Sequence, residues 1–179
     1  TAPDKGCIEY DNEPFFTHSV SLKKKIGYLA QNNPLYPNMR ALDFLLFLAK
    51  LFQIPATLIH ARVEKIISLC GLESEKFRLI RELSKGYRQR LGIAQILIHD
   101  PELLLLDEPV CGLDPKQTQN LYSVIKTIGE EKTIVISSEN WEHLHTLCDR
   151  IISFPPSSNE DLMQNKLLYR TAEQVPYPA

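Results

Sequence analysis

The sequence Leu103-Leu104-Leu105-Leu106-Asp107-Glu108-Pro109 joins four consecutive leucines to two acidic residues and a proline. A short, continuous apolar run with Pro101 before it and acidic residues after it is typical of a strand buried inside a parallel sheet. Open α/β sheets bind their ligands beyond the carboxyl ends of their strands, which is where Asp107 and Glu108 stand. Acids at a strand exit are also common as solvated residues without a function, so this motif alone leaves both interpretations open.

Strand and helix patterns alternate on the C-terminal side of this stretch. Asp114-Pro115 combines a helix N-cap with proline at the first helical position, and the helix that it opens is expected to end at Gly129. Thr133 to Ser137 is predicted to be a buried strand, and Ile151-Ile152 begins a last short strand. This order predicts an α/β fold, with a parallel sheet that carries helices on both faces.

The N-terminal side of the acidic strand is mostly helical in pattern. Ile26 to Leu29 is a short predicted strand, and apolar periodicity then predicts helices over Ala41 to Phe52, Thr57 to Cys70 and about Gly86 to Ile98. Residues from about 39 to 100 are therefore expected to form a helical lobe inserted into the sheet domain.

The residues after Phe154 carry little periodicity. We expect one sheet domain over residues 1–154 and a C-terminal tail over residues 155–179. Within that tail, the spacing of apolar residues predicts a helix over Leu162 to Tyr169.

Composition narrows the class of protein. The chain has 179 residues, of which 44% are hydrophobic, so it can bury a sizeable core. Its formal net charge of −2 gives no reason to expect nucleic acid as a partner. The four cysteines are scattered and form no C-x-x-C pair, which favours a reduced compartment.

A second motif, Leu83-Ser84-Lys85-Gly86-Tyr87-Arg88-Gln89-Arg90, precedes the acidic strand by one helix. Ser84 offers a capping hydroxyl, Gly86 permits close backbone approach, and the helix that follows presents unpaired N–H groups. These are the properties of a phosphate-binding helix terminus. An ordinary serine cap followed by a glycine is the alternative interpretation.

This second motif resembles the signature sequence of the ATP-binding cassette (ABC) family, Leu-Ser-x-Gly-x-x-Gln-Arg. The resemblance covers roughly residues 5 to 154, and it is strongest to exporter ATPase subunits whose membrane domains are separate chains, including the gliding-motility type. It implies that Ser84, Lys85, Gly86 and Gln89 contact ATP. It also gives each acid of the strand a role in P-loop NTPase chemistry, with Asp107 helping to hold Mg²⁺ and Glu108 polarising the attacking water.

Two further stretches match the family in the expected order. Gln31, at the end of a predicted strand, matches the Q-loop glutamine, which in the family touches the metal and water region and relays movement to the membrane subunit. Gly112-Leu113-Asp114-Pro115 matches the D-loop, which crosses the interface between two ATPase subunits. The resemblance therefore implies that Asp114 belongs to the nucleotide interface and that Gln31 is both a metal ligand and a catalytic residue.

The chain departs from the family in two respects. No G-x-x-x-x-G-K-[ST] loop occurs in these residues, and the family places that loop about a dozen residues before Thr1. The expectation is a P-loop NTPase-like domain that is N-terminally incomplete. Glu139 stands where the family has its switch histidine. Two unit charges ~4 Å apart at an effective dielectric of about 20 interact by about 4 kcal/mol, so a glutamate there would oppose the γ-phosphate.

The sequence thus predicts an ATP-binding and ATP-hydrolysing subunit of an ABC transporter, using ATP and Mg²⁺. The resemblance implies a second ABC ATPase subunit and an integral membrane subunit as partners, and a cytoplasmic location on the inner face of the membrane. This chain by itself is expected to be inactive because it lacks a phosphate loop. A catalytically silent module that completes a partner's ATP site remains an alternative, as does an ABC ATPase outside transport.

Overall fold

The computed structural model describes residues 6–11, 13–15, 20–138, 144, 145, 147–153 and 166–170. Its strands, numbered in chain order, are β1 Glu9–Tyr10, β2 Glu13–Pro14, β3 Ile26–Leu29, β4 Leu103–Asp107, β5 Thr133–Ser137, β6 Arg150–Ser153 and β7 Lys166–Arg170. Its helices are α1 Val20–Lys24, α2 Ala41–Leu51, α3 Ala56–Leu69, α4 Lys85–Leu97 and α5 Pro115–Gly129, with a 3₁₀ turn at Ile80–Glu82. The boundaries of α2 to α5 lie within one residue of the predicted ones.

The main sheet has the strand order β3-β4-β5-β7-β6, while β1 and β2 form a separate antiparallel hairpin. Strands β3, β4 and β5 run parallel, with Leu29 beside Leu106 and Asp107 beside Ser137. This parallel core confirms the predicted α/β fold. Because the strands run in the same direction, their carboxyl ends meet at one edge of the sheet, and the candidate acids lie at that edge.

The C-terminal residues differ from their predicted structure. A helix over Leu162 to Tyr169 is wrong for the described part, where Lys166–Arg170 forms β7 and pairs antiparallel with β5 and β6. Periodicity cannot separate strand from helix in so short an apolar run, and pairing with a strand on each side decides the outcome. Residues assigned to a tail thus contribute a strand to the sheet.

The predicted helical lobe is present between β3 and β4. Helix α3 turns Ile59, Val63, Ile66 and Ile67 inward, and these side chains join a core that is continuous with the buried residues of α2, α4 and the sheet. Gly71, with φ +60°, follows the C-terminus of α3 in the left-handed conformation that glycine adopts without steric cost. Within the described residues, no helix combines the length and the apolarity that a membrane span requires.

Helix α4 lies close to the sheet because small residues permit the approach. A Cβ on Gly27 of β3 would stand 2.8 Å from Leu104 Cδ2 and 3.0 Å from the Ile96 carbonyl oxygen. The short connection from α4 to β4 makes the two elements antiparallel, so the N-terminus of α4 points toward the carboxyl edge of the sheet. Helix α5 also begins at that edge, because it follows β4 after a short loop.

Candidate functional site

The two acids predicted to be functional are fixed to the end of the neighbouring strand. The Ser137 hydroxyl donates to Asp107 Oδ1 at 2.6 Å. The backbone N–H of Glu108 donates to the same hydroxyl oxygen at 3.1 Å and to the Ser137 carbonyl oxygen at 3.2 Å. The end of β5 therefore holds both Asp107 and the backbone of Glu108.

Glu108 itself adopts an uncommon backbone conformation. Its φ of +44° lies in the left-handed region, which costs a non-glycine residue roughly 1–2 kcal/mol. The Cys111 N–H donates to the Glu108 carbonyl oxygen at 3.1 Å and closes a turn directly after the strand. Strained residues of this kind persist where the surrounding structure holds them in place, and they cluster at functional sites. No sequence pattern indicated this conformation.

Gln31 reaches the same edge of the sheet from the end of β3. Its side chain is exposed, and its Nε2 lies 3.7 Å from the Cys111 sulfur, in the loop that follows Glu108. The structure thus brings Gln31, Asp107 and Glu108, which are far apart in sequence, to one side of the molecule.

The chemistry of these groups suits a magnesium ion that is also held by phosphate. Mg²⁺ prefers oxygen ligands, and protein sites commonly supply one or two carboxylates while substrate phosphates and waters complete the shell. Asp107 offers a carboxylate and Gln31 an amide oxygen. Among the described residues, no group of three or more His, Cys, Asp or Glu side chains could hold a metal ion.

The signature residues form the N-terminus of α4. Ser84 is the N-cap, and its hydroxyl oxygen accepts from the Tyr87 N–H at 3.4 Å. Gly86 is buried beneath the side chain of Gln117, since a Cβ at Gly86 would stand 2.7 Å from Gln117 Oε1. The ammonium of Lys85 likewise occupies the space where a Cβ on Gly112 would stand.

A second helix N-terminus faces the first. Asp114 caps α5 by accepting from the Gln117 N–H at 2.9 Å, with Pro115 at the first helical position. Between the two caps lies a cavity of about 190 Å³, which we call the signature cleft. It is lined by Ser84, Gly86, Tyr87, Arg90, Asp114, Lys116, Gln117 and Asn120. Two helix N-termini and the side chains of Lys116 and Arg90 attract an anionic group to this cleft, while the Asp114 carboxylate opposes it.

Arg90 anchors the signature helix to the helical lobe. Its Nη1 donates to the carbonyl oxygens of Gly71 at 2.9 Å and Cys70 at 3.4 Å, at the C-terminus of α3, while its guanidinium lies 4.2 Å from the Tyr87 ring centroid. Beneath it, burial raises the pKa of the Cys70 thiol to about 12, although the positive charge of Arg90 acts in the opposite direction. Arg90 ends the signature motif, and its spacing gave no sign of this anchoring role.

The predicted nucleotide-binding residues do not all lie in the signature cleft. Gln89 lines a different groove of about 520 Å³, together with Gln31, Asn33, Lys85 and other residues between β3, the 3₁₀ turn and α4. We call this the Gln31 groove. Ser84, Gly86 and Asp114 line the cleft instead, whereas Lys85 borders the groove and contacts Gly112. Glu139, expected at the switch position, lies outside the described residues.

Comparison with known proteins gives consistent matches. A family model described as ABC transporter matches residues 1–111. An uncharacterized ABC transporter ATP-binding protein of Nostoc sp. is 39% identical over 134 residues, which are 73% of this chain and 40% of that protein. The bacitracin transport ATP-binding protein BcrA of Bacillus licheniformis is 35% identical, over 83% of this chain and 48% of its own length.

Two further matches agree with these. The Nod factor export ATP-binding protein I of Burkholderia lata is 32% identical, over 84% of this chain and 50% of its own. The solved structure of cbiO1 from Clostridium perfringens, described as part of the ABC transporter complex cbiONQ, has a TM-score of 0.62 and 25% identity. That match covers 75% of this chain and 62% of the cbiO1 chain. The present chain spans about half the length of the curated relatives it matches.

Proposed function

The chain belongs to the ABC transporter family, in the group of its ATP-binding proteins, and we propose that it is an ATP-binding and ATP-hydrolysing subunit that powers a separate membrane subunit. The observation that carries this proposal is the placement of Asp107, Glu108 and Gln31 at one edge of the sheet. A carboxylate for a cation, a second carboxylate for water and an amide beside them are groups that P-loop NTPases use for phosphoryl transfer to water, together with a phosphate-binding loop.

These residues divide between two proposed roles. Asp107, fixed by Ser137, and the amide oxygen of Gln31 would bind Mg²⁺, which neutralises charge on the nucleotide phosphates. Glu108 would accept a hydrogen bond from the attacking water and hold it for in-line attack. The turn closed by Cys111 holds the left-handed backbone of Glu108 directly after β4.

The signature cleft is proposed to serve a second ABC ATPase subunit, whether an identical or a different chain. Ser84 and Gly86 present the N-terminus of α4, and Asp114 marks the start of α5 on the other side of the cleft. Phosphate groups of a nucleotide held by the second subunit would be attracted to these helix N-termini. Lys85 and Gln89 would support this contact from the adjoining Gln31 groove.

The Gln31 groove is the proposed docking surface for an integral membrane subunit. One groove joins Gln31 of the hydrolytic edge to Gln89 of the signature helix and to residues of the 3₁₀ turn. A membrane partner seated there would sense both the metal region and the partner-facing helix. We place the protein in the cytoplasm, peripheral on the inner face of the membrane, and assign no nucleic acid partner.

The test is the ATPase activity of the full-length gene product. Glu108→Gln keeps the size of the side chain and removes its basicity, so the rate should fall by at least ~100-fold, the low end of the usual contribution of a general base. Glu131→Gln, at an exposed position beyond α5, is the matched control and should leave the rate unchanged. An unchanged rate of ATP hydrolysis in Glu108→Gln would show that Glu108 is not the residue that activates the water.

A catalytically silent module is a second candidate, favoured by one observation. Glu139 stands where the family has a histidine that donates to the γ-phosphate, and a glutamate there is repelled by the phosphate. Such a module would keep the signature cleft to complete a partner's site. Absence of ATP hydrolysis by the full-length gene product, with nucleotide-dependent binding to an active partner, would favour this second function.

A further inference from the structure

We propose that Ser137 is a positioning residue that sets both acids of the candidate site at once. Its consequence for ATP hydrolysis rests on the proposed function, whereas its hydrogen bonds do not. Ser137 lies at the end of β5, directly beside Asp107 in the parallel ladder. It is 30 residues away in sequence from the acid it contacts.

The hydroxyl of Ser137 has a fixed direction. A serine hydroxyl carries one proton and two acceptor lone pairs. The Glu108 N–H points at its oxygen from 3.1 Å, and an ionised Asp107 can only accept, so the hydroxyl proton must point to Asp107 Oδ1 at 2.6 Å. That length is typical of a charge-assisted bond. The bond fixes the rotation of the Asp107 carboxylate and therefore the direction in which its second oxygen, Oδ2, faces a cation.

The same serine holds the strained turn at Glu108. The Glu108 N–H is shared between the hydroxyl and the carbonyl oxygen of Ser137, at 3.1 and 3.2 Å. The carbonyl bond survives any substitution, so removal of the hydroxyl should loosen the turn without unfolding the sheet. Because the Glu108 side chain extends from a backbone with φ +44°, loosening this turn displaces the carboxylate. One hydroxyl thus couples the orientation of the proposed metal ligand to that of the proposed base.

The experiment compares Ser137→Ala, which removes the hydroxyl, with Ser137→Thr, which keeps it on a residue suited to strands. Thr133→Val, at the other end of β5, is the matched control that removes a different hydroxyl. In the full-length gene product, amide hydrogen exchange in peptides spanning Asp107 to Cys111 should rise about fivefold in Ser137→Ala, the usual effect of one lost neutral hydrogen bond. Exchange should stay within about twofold of the parent in Ser137→Thr and Thr133→Val.

Steady-state kinetics on the same proteins provide the second measurement. In Ser137→Ala, kcat should fall about tenfold while KM for ATP changes less than about twofold, because the hydroxyl acts on the hydrolytic groups. Ser137→Thr should restore kcat. Unchanged exchange in Ser137→Ala, or failure of threonine to restore it, overturns the positioning role. Raised exchange with unchanged kcat overturns its part in hydrolysis. If the parent protein hydrolyses no ATP, the proposed activity fails, and the exchange data still decide whether Ser137 holds the turn.

Discussion

Replacing Gly86 by alanine should destabilise the protein through a single side chain on another helix. The added Cβ would stand 2.7 Å from Oε1, 3.0 Å from Cδ and 3.1 Å from Cγ of Gln117. Carbon contacts are optimal at roughly 3.5–4.0 Å, so the Gln117 side chain must move by about 0.5–1 Å along its whole length. Its backbone cannot follow, because Asp114 accepts from the Gln117 N–H at 2.9 Å and fixes the first turn of α5.

The magnitude follows from two opposing terms. Overpacking of a well-filled contact costs about 1–3 kcal/mol, while replacing a helical glycine by alanine gains roughly 0.5–1 kcal/mol. The net loss for Gly86→Ala is then at most about 2.5 kcal/mol, which is a decrease in Tm of at most roughly 10 °C for a chain of this size. In a Gln117→Ala background the collision is absent, and the same substitution should be neutral or stabilise the protein by up to about 1 kcal/mol.

Thermal and urea unfolding of the parent, both single variants and the double variant measure this coupling. The expected interaction energy between the two positions is the overpacking term itself, about 1–3 kcal/mol. An equal cost of Gly86→Ala with and without the Gln117 side chain would refute the packing that joins α4 to α5.

Three further outcomes are expected. Asp114→Ala should lower the free energy of unfolding by about 1 kcal/mol, and by more than Ser84→Ala does. The reason is that the hydrogen bond of the Asp114 cap is 2.9 Å long and that of the Ser84 cap 3.4 Å. Thermal unfolding of both variants checks this order. Burial holds the pKa of the His99 imidazole below 6.5. As pH drops through 6.5, His99 is therefore protonated in the unfolded chain before it is in the folded one, and the free energy of unfolding falls. His99→Phe should reduce the difference in urea midpoint between about pH 7.5 and about pH 5.5. In a full-length gene product that hydrolyses ATP, Glu139→His should raise the rate, and an unchanged rate would remove residue 139 from the switch role.

Much of the sheet and most of the helices follow from local sequence pattern. β4 and α3 are both predictable from local pattern, because Pro101 and the acids bound the apolar run of the strand, and the periodicity of α3 places its apolar residues on one face of a helix. Residues Lys166–Arg170 are different, because they form a strand only where β5 and β6 lie on either side of them. No local pattern contains that information.

The candidate site divides in the same way. Asp107, Glu108 and the two helix caps are readable because a strand exit and a cap are local features. The groups that hold them come from distant parts of the chain, as Ser137 does for Asp107 and Gln117 does for Gly86. A single sequence does not reveal such contacts, because they depend on the register of neighbouring strands and the packing of two helices.

Association of this chain with a homologous ABC ATPase subunit should depend on nucleotide, when that subunit has its own phosphate loop and its catalytic glutamate has been replaced. Sedimentation of this chain with that partner is measured with and without Mg-ATP. We expect a complex only with ATP, lost in Gly86→Asp, which puts a negative charge and added bulk in the signature cleft, and retained in Gln119→Glu, which adds the same charge to α5 outside the cleft. Association that ignores both ATP and Gly86→Asp would contradict the claim that the signature cleft receives a partner's nucleotide.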